Sequence, residues 1–306
     1  MIIVVCPGQG SQTPGFMEPW IADARSRALL ESLSEAAEID LITHGTISDA
    51  DTIRDTQIAQ PLIVAAGVLT LDALSETDHL AKTGGTAGHS VGEFTAAVGA
   101  GVLDAHDATR LVALRGRAMA DAATRVSTGM SAIIGGDEDE VTQRLVELGL
   151  FAANYNGGGQ LVAAGDLTAL TTLAENPPAG TRVIPLHVAG AFHTPYMESA
   201  VSVLREAADT INHADPIRAL WTNRDGSRVT SGRAYLDLMV GQVSSPVRWD
   251  LCMEAFADAG VTGIIEVAPA GALVGLAKRA LKGIPTVAIK SPDDLAVARD
   301  LIDSLT

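Results

Sequence analysis

The sequence is poor in cysteine, in aromatic residues and in positive charge. Cys6 and Cys252 are the two cysteines among 306 residues, so a disulfide framework is excluded by number, and their apolar surroundings are typical of buried thiols. Lysine and arginine total 21 against 37 aspartates and glutamates, which gives a formal net charge of −16 and a pI of about 4.7. We therefore expect no binding of nucleic acid or of anionic membranes through the overall field of the protein.

Long apolar runs are missing as well. No run reaches the roughly 18 consecutive apolar residues typical of a transmembrane helix, so none is expected. The apolar run at residues 1–5 has no basic segment before it and breaks at Pro7-Gly8, which predicts a strand and not a signal peptide. No metal-ligand spacing is visible, and no metal or organic cofactor is predicted. These observations predict a cytoplasmic protein.

The pattern that is present is that of an α/β protein. Apolar residues make up 47% of the chain and the mean hydropathy is +0.24, which is enough for a sizeable core. Strands alternating with helices across 1–125 and 191–306 predict one large α/β-hydrolase-like domain with a mainly parallel sheet. The order β-α-β-β-α-β across 126–190 predicts an inserted ferredoxin-like small subdomain. Helices are predicted from about Pro19 to Ala37 and from about Pro61 to Leu74.

One short stretch carries a chemical signature. Residues 88–92 read Gly-His-Ser-Val-Gly, between a short apolar segment and the start of a helix. In a nucleophile elbow of this form, the sharp strand-to-helix turn exposes the serine hydroxyl, and glycines on either side make room for the turn. The pattern fixes only three residues, so a chance match is the alternative.

Two further features of the sequence each allow two interpretations. The loop Pro7-Gly8-Gln9-Gly10 follows a predicted buried strand, at the sheet edge where ligands sit in open α/β sheets, but an ordinary glycine turn explains it equally well. Arg115 falls on or beside the apolar stripe of the helix predicted from about Ala105 to Ala123. A buried charge at that place needs a partner or a ligand.

Six motifs in order resemble a known family. They are Gly8-Gln9-Gly10-Ser11-Gln12, Gly88-His89-Ser90-Val91-Gly92-Glu93, Arg115-Gly116-Arg117-Ala118-Met119, Ala191-Phe192-His193-Thr194-Pro195-Tyr196-Met197, Ser245-Pro246-Val247-Arg248-Trp249 and Glu266-Val267-Ala268-Pro269. Together they resemble the malonyl-CoA:acyl carrier protein transacylases of fatty acid synthesis, with actinobacterial members closest, and the acyltransferase domains of polyketide synthases. The resemblance covers essentially the whole chain.

The resemblance implies a role for particular residues. Ser90 would be the nucleophile and His193 the general base and acid; the sequence alone does not select among the seven histidines. Arg115 would bind the substrate carboxylate through its guanidinium fork. The main-chain N–H groups of Gln9 and Val91 would form the oxyanion hole.

Three more implications concern the surroundings of His193. The main-chain carbonyl of Gln242 would orient the imidazole, so that the site needs no triad carboxylate. Phe192, next to His193, would select malonyl over methylmalonyl groups by its volume. Ser245 stands where many relatives have asparagine, which bears on the loop that follows Gln242.

The implied partners are malonyl-CoA and a phosphopantetheinylated acyl carrier protein. Two other functions remain open from the sequence. A serine thioesterase would share the elbow and would add a carboxylate between the serine and the histidine in the chain, where Asp104 and Asp121 lie. A non-catalytic docking subunit for a carrier protein is the third interpretation, and an intact Ser90 and His193 disfavour it.

Overall fold

A computed structural model describes residues 1–305 and contains two β-sheets. Its strands are β1 Ile2–Cys6, β2 Gly85–Gly88, β3 Thr128–Gly135, β4 Phe151–Gly157, β5 Gln160–Asp166, β6 Thr181–Leu186, β7 Ala219–Trp221, β8 Val247–Arg248, β9 Gly263–Glu266 and β10 Thr286–Ala288. Its α-helices are α1 Ala24–Ala37, α2 Leu41–Thr46, α3 Thr56–Ser75, α4 Gly92–Gly99, α5 Ala105–Arg125, α6 Glu138–Glu147, α7 Leu167–Glu175, α8 Glu198–Ala208, α9 Gly232–Gln242, α10 Trp249–Asp258, α11 Ala272–Ala280 and α12 Leu295–Leu305.

The first sheet is parallel and buried on both faces. Its strand order is β10-β9-β1-β2-β7, and every pairing in it is parallel. Alternate residues of β1 enter opposite cores: Ile2 and Val4 pack in one apolar cluster, and Ile3 and Val5 pack in the other. This two-sided burial explains why β1 is a continuous apolar run, and it confirms the predicted α/β class.

The strand order places a ligand crevice beside β1. The chain leaves β1 toward β2 and β7 on one side, and it later fills the other side with β9 and β10. In an open α/β sheet, such a reversal of strand order opens a crevice at the carboxyl ends of the central strands. The loop after β1 and the elbow after β2 both lie at that edge.

The second sheet is built mainly from residues 128–186. Its order is β6-β3-β5-β4-β8, and the pairings among β3, β4, β5 and β6 are antiparallel. Four strands in this order, with α6 and α7 as their crossovers, form the ferredoxin-like arrangement expected from the sequence. The strand β8 was not predicted. It comes from the later part of the chain and pairs with β4 through Asn154 and Val247, so it joins that part of the chain to the second sheet.

Helix boundaries differ from the predictions near two prolines. The helix predicted from about Pro19 begins at Ala24, because Pro19 lies in a separate 3₁₀ turn and the Asp23 side chain accepts hydrogen bonds from Arg25 N and Ser26 N. The helix predicted from about Pro61 begins earlier, at Thr56, where the Asp55 side chain caps it, and it carries Pro61 inside. Capping side chains decided both starts.

Helix α3 is long and apolar enough to cross a membrane by composition alone. Its mean hydropathy is 1.6, but 78% of the apolar window is buried within the protein. A core helix that is buried on all sides is also apolar nearly all round, and the burial of α3 is typical of such a helix.

The elbow depends on a close approach between α4 and the end of β1. A Cβ atom on Gly92 would lie 2.1 Å from the Cys6 carbonyl oxygen, and one on Gly88 would lie 2.0 Å from the Gly92 carbonyl carbon. Both obstacles are main-chain atoms, which a side-chain rotation does not relieve. The two glycines of the motif are therefore required by packing.

We predict that Gly92→Ala destabilises the protein by about 3 kcal/mol, the upper part of the range for overpacking a core, because the whole start of α4 must move away from β1. Gly241→Ala is the matched control, since no atom lies within 4 Å of the new methyl group and alanine favours a helix over glycine. Urea unfolding of both variants measures the difference. Equal stability of Gly92→Ala and the wild type would contradict the packing argument.

Candidate active site

Ser90 occupies the tip of the elbow in a strained conformation. Its φ is +53°, in the left-handed region that residues other than glycine rarely adopt. Asn223, just after β7, holds the elbow in place: its Oδ1 accepts a hydrogen bond from Ser90 N at 2.7 Å, and its Nδ2 donates to Gly88 O at 2.7 Å. The serine hydroxyl is thereby directed into the crevice at the sheet edge.

His193 lies against this hydroxyl. The distance between Ser90 Oγ and His193 Nε2 is 2.7 Å, and the distance between His193 Nδ1 and Gln242 O is 2.9 Å. A carbonyl oxygen only accepts, so Nδ1 carries the proton and Nε2 offers its lone pair to the Ser90 hydroxyl. Burial, reinforced by the nearby positive charge of Arg115, lowers the pKa of His193 to about 3, which keeps the imidazole neutral.

The contacts of His193 bear on the thioesterase alternative. Asp104 caps α5, where it accepts a hydrogen bond from Asp107 N, and Asp121 is exposed on the same helix. Nδ1 of His193 is bonded to the Gln242 carbonyl instead of a carboxylate. The arrangement is therefore a serine–histidine pair oriented by the main chain.

Arg115 is buried beside the pair, as its place near the apolar stripe of α5 predicts. It is 1% exposed, and its guanidinium donates to Gln60 Oε1 at 2.6 Å, to Gln242 Oε1 at 3.0 Å and to Ser90 Oγ at 3.4 Å. Burial lowers the pKa of Arg115 to about 10, so it stays charged at neutral pH. Its Nε is buried and has no hydrogen-bond partner within residues 1–305.

Two main-chain amides at the crevice lack acceptors. Within the described chain, the N–H groups of Gln9 and Val91 form no intramolecular hydrogen bond, and both residues line the cavity. The loop after β1 packs tightly on the elbow, because a Cβ atom on Gly8 would lie 3.0 Å from His89 Nδ1. Gly10 adopts a φ of +116°. This close packing fixes the position of the Gln9 amide.

The cavity that joins these groups has a volume of about 440 Å³. Its lining comes from the second sheet and from the loops and helices around the first, and it includes Ser90, Arg115, Phe192, His193, Asn154 and Arg279. Phe192 is 6% exposed and lies at the wall next to His193. The structure thus brings Ser90, His193, Arg115, Gln9, Val91 and Phe192 to one cavity, with Gln242 directly behind them.

Several polar residues of the site were not predicted from the sequence. They are Gln60, His89, Glu93, Asn156, Asn223 and the side chain of Gln242. Two carried a usable signal: Glu93 is a charge in the otherwise apolar start of α4, and Asn223 follows a strand of the parallel sheet at its carboxyl edge. His89 Nε2 lies 2.9 Å from Asn156 Oδ1 and thereby links the elbow to the second sheet.

No group of three histidine, cysteine, aspartate or glutamate side chains suited to a metal ion occurs among the residues that the structure describes. What the arrangement offers is a nucleophilic hydroxyl, a neutral base within hydrogen-bond distance, free amides for a developing oxyanion and a buried cation. Together with the elbow, these groups form the arrangement that acyl transfer through a serine requires.

Comparison with known proteins identifies the family. Residues 3–296 match the acyl transferase domain family. The malonyl CoA-acyl carrier protein transacylase of Mycobacterium tuberculosis is 50% identical over 296 residues, which cover 96% of this chain and 98% of the relative. The Escherichia coli protein of the same name is 33% identical over 307 residues, 97% of this chain and 98% of the relative. The chain belongs to the malonyl CoA-acyl carrier protein transacylase family.

Solved structures agree with this assignment. The crystal structure of the Mycobacterium tuberculosis MCAT matches with a TM-score of 0.95 at 49% identity and covers 98% of this chain and 99% of that one. A malonyl-transacylase solved in complex with its type II PKS acyl-carrier protein matches with a TM-score of 0.93 at 29% identity, covering 98% and 99% of the two chains. The whole architecture, with both sheets, is therefore shared with these proteins.

The geometry predicts the reactivity of Ser90 without reference to any substrate. Ser90→Ala should abolish labelling by a fluorophosphonate, and His193→Ala should slow labelling by about 10²–10⁴-fold, the usual range for lost general-base help. His213→Ala is the control, because His213 is exposed and bonds only Ile211 O. Labelling is followed by intact-protein mass. A wild-type rate in His193→Ala would rule out the predicted base.

Proposed function

We propose that this protein transfers the malonyl group from malonyl-CoA to the phosphopantetheine thiol of an acyl carrier protein, in the cytoplasm, and so supplies fatty acid elongation. One observation carries the proposal beyond family membership: the buried guanidinium of Arg115 lies 3.4 Å from the Ser90 hydroxyl. Malonyl differs from acetyl by a terminal carboxylate, and a desolvated arginine beside the nucleophile is suited to bind it.

In the first half-reaction, Ser90 Oγ attacks the thioester carbonyl of malonyl-CoA while its proton passes to His193 Nε2. The carbonyl oxygen becomes an oxyanion that the N–H groups of Gln9 and Val91 stabilise, each contributing about 3 kcal/mol. The C–S bond then breaks, and the CoA thiolate takes the proton from His193. The hydrogen bond from Nδ1 to Gln242 O holds the ring while its charge changes.

The second half-reaction runs the same steps with a different thiol. The carrier pantetheine thiol gives its proton to His193 Nε2 and attacks the malonyl-serine ester, and Ser90 leaves with that proton. The malonyl carboxylate stays bound to Arg115 throughout. This anchoring favours attack by the thiol over attack by water, since the ester carbonyl is held where the pantetheine arm reaches it.

We also propose a division of the chain into a large unit, 1–125 and 191–306, and a small unit, 126–190. The separate antiparallel sheet formed mainly by residues 128–186 supports it. The cavity lies between these units and takes its lining from both, which suits a thioester arm that enters from the side.

Intact-protein mass after mixing with malonyl-CoA tests the function. The expected result is a stable malonyl adduct on Ser90 that disappears when phosphopantetheinylated carrier protein is added, with malonyl-carrier formed in equal amount. Immediate hydrolysis of the adduct without carrier would indicate a thioesterase. No adduct would leave a docking subunit as the better explanation.

Arg115→Ala should weaken malonyl transfer by about 2–5 kcal/mol, or roughly 30-fold or more, because the substrate carboxylate loses a buried charged partner. Acetyl transfer should change little, so the preference for malonyl over acetyl collapses. Arg117→Ala is the matched control on the same helix, since Arg117 donates to Ala37 O outside the cavity. Competition between malonyl-CoA and acetyl-CoA gives the ratio. A parallel fall of both rates would mean a purely structural role.

Phe192→Ser should raise turnover of methylmalonyl-CoA relative to malonyl-CoA by about 10- to 200-fold, the range for a methyl group that a packed pocket excludes. The buried ring at the cavity wall occupies the space that an α-methyl group needs. Phe192→Leu keeps most of the volume and should keep a ratio near that of the wild type. The products of a mixture of both thioesters are quantified. An unchanged ratio in folded Phe192→Ser would place selectivity elsewhere.

A further inference from the structure

Glu93 is a buried carboxyl group behind the active site with no part in the mechanism above. It follows Ser90 by three residues, on the first turn of α4, and it is 1% exposed. It forms no ion pair within 4 Å in the chain up to residue 305, although Arg115 is close enough to act on it electrostatically. A buried carboxyl group without a bonded cation is costly and calls for an explanation.

Both carboxyl oxygens of Glu93 accept hydrogen bonds from residues that hold the catalytic groups. Oε1 accepts from Asn223 N at 2.7 Å, and Oε2 accepts from Gln242 Nε2. The contacts of Glu93 therefore join α4 to the segment that follows β7 and to the end of α9.

Each of these two neighbours in turn holds part of the catalytic site. Asn223 Oδ1 accepts from Ser90 N at 2.7 Å, which fixes the elbow. Gln242 Oε1 accepts from the Arg115 guanidinium at 3.0 Å, and the main-chain oxygen of Gln242 accepts from His193 Nδ1 at 2.9 Å. The Glu93 carboxylate is thus connected to Ser90 through Asn223. It is connected to Arg115 and His193 through Gln242.

We propose that Glu93 is a positioning residue for the acyl transfer: by accepting from Asn223 and Gln242 at once, it sets which way the Gln242 amide points, and through that amide it orients Arg115 and His193. The inference rests on the proposed function. The orientation matters because an amide has one accepting end and one donating end. With Gln242 Nε2 directed to Glu93, Gln242 Oε1 is left to accept from Arg115.

An amide at position 93 cannot perform this role. Glutamine there would direct its own N–H groups at either Asn223 N or Gln242 Nε2. In both cases two hydrogen-bond donors would face each other. The Gln242 side chain relieves the second conflict by turning over, and its N–H groups then face the Arg115 guanidinium. The substitution also removes the negative charge that balances Arg115 before a substrate carboxylate arrives.

The charged and titratable groups around Glu93 define the conditions of the test. They are Arg115 from α5, Tyr235 from α9 and Cys252 from α10. Burial raises the pKa of Glu93 to about 8, against the opposing effects of the Asn223 N–H and of Arg115. Both oxygens of Glu93 accept from N–H donors, which favours the carboxylate form, and assays on the alkaline side of neutrality favour it further.

The experiment measures single-turnover acylation of Glu93→Gln by malonyl-CoA and by acetyl-CoA, followed by intact mass and expressed per labelled site. We expect full labelling, acetylation slowed at least 10-fold through Ser90 and His193, and malonylation slowed further because Arg115 is also misdirected. Asp107→Asn is the matched control: Asp107 is 8% exposed and pairs with Arg110, away from the cavity. A merely structural role would lower the labelled fraction and leave the rate per site unchanged.

The double variant Glu93→Gln with Gln242→Glu provides a second test. It exchanges donor and acceptor between positions 93 and 242, so that the glutamine at 93 donates to the new carboxylate, which also accepts from Arg115. Ser90 O and Asn223 Oδ1 lose the Gln242 Nε2 donor that lies 3.2 Å from each of them in the wild type, so the recovery is expected to be partial. Acetylation should recover at least partly, while the malonyl preference stays low because that carboxylate occupies Arg115. If Glu93→Gln does not fold, Glu93→Asp takes its place: it keeps the carboxylate on a side chain one methylene shorter, which cannot reach both Asn223 N and Gln242 Nε2. Slowed acetylation per labelled site in Glu93→Asp then supports the proposal, and a wild-type rate overturns it.

Two results separate this inference from the proposed function. Absence of a malonyl adduct in the wild type would overturn the function, and the rate of fluorophosphonate labelling would still report the effect of Glu93 on Ser90 and His193. A normal wild type together with wild-type rates per labelled site in Glu93→Gln would overturn the inference alone.

Discussion

The site depends on how closely the start of α4 approaches the end of β1. Gly92 lies so near the Cys6 carbonyl that no side chain fits between them, and Gly88 faces Gly92 in the same way. This contact forces the turn between β2 and α4 to be sharp, and the left-handed conformation of Ser90 follows from it. The strain is held by tertiary contacts, since Asn223, which lies just after β7, bonds Ser90 N and Gly88 O.

The second constraint is the burial of charge beside the nucleophile. Arg115 bonds neutral amide oxygens of Gln60 and Gln242, and the buried carboxyl group of Glu93 interacts with it only from a distance. A guanidinium held in this way keeps its charge available for a ligand, because no carboxylate in direct contact neutralises it. The same burial lowers the pKa of His193 and keeps it a base. One desolvated environment is thus suited to both the substrate binding and the proton transfer that we propose.

Family membership and geometry support each other at different levels. The relatives match along almost the whole chain, which accounts for both sheets and for the crevice at the reversal of strand order. The distances show how residues far apart in the chain come together: Ser90 and His193 are separated by 103 residues, and their side chains meet at 2.7 Å. The link from His89 to Asn156 and the added strand β8 hold the second sheet over the nucleophile.

The sequence by itself determined the features that depend on residues close together in the chain. The continuous apolar run predicted β1, alternation of strands and helices predicted the α/β class, and the glycines around Ser90 predicted the elbow, because each depends on neighbouring residues in the chain. Arg115 was identified as a buried charge from its position on a helix, but its contacts were not. Helix starts near Pro19 and Pro61 were misplaced, since the capping residues Asp23 and Asp55 decided them.

Only the tertiary structure decided which of seven histidines meets Ser90, that the thioesterase-type aspartates lie elsewhere, and that Glu93, Asn223 and Gln242 form one hydrogen-bonded group. Those partners come from separate strands and helices, and their pairing is set by how the elements pack and by the direction in which each amide points, which no local pattern records.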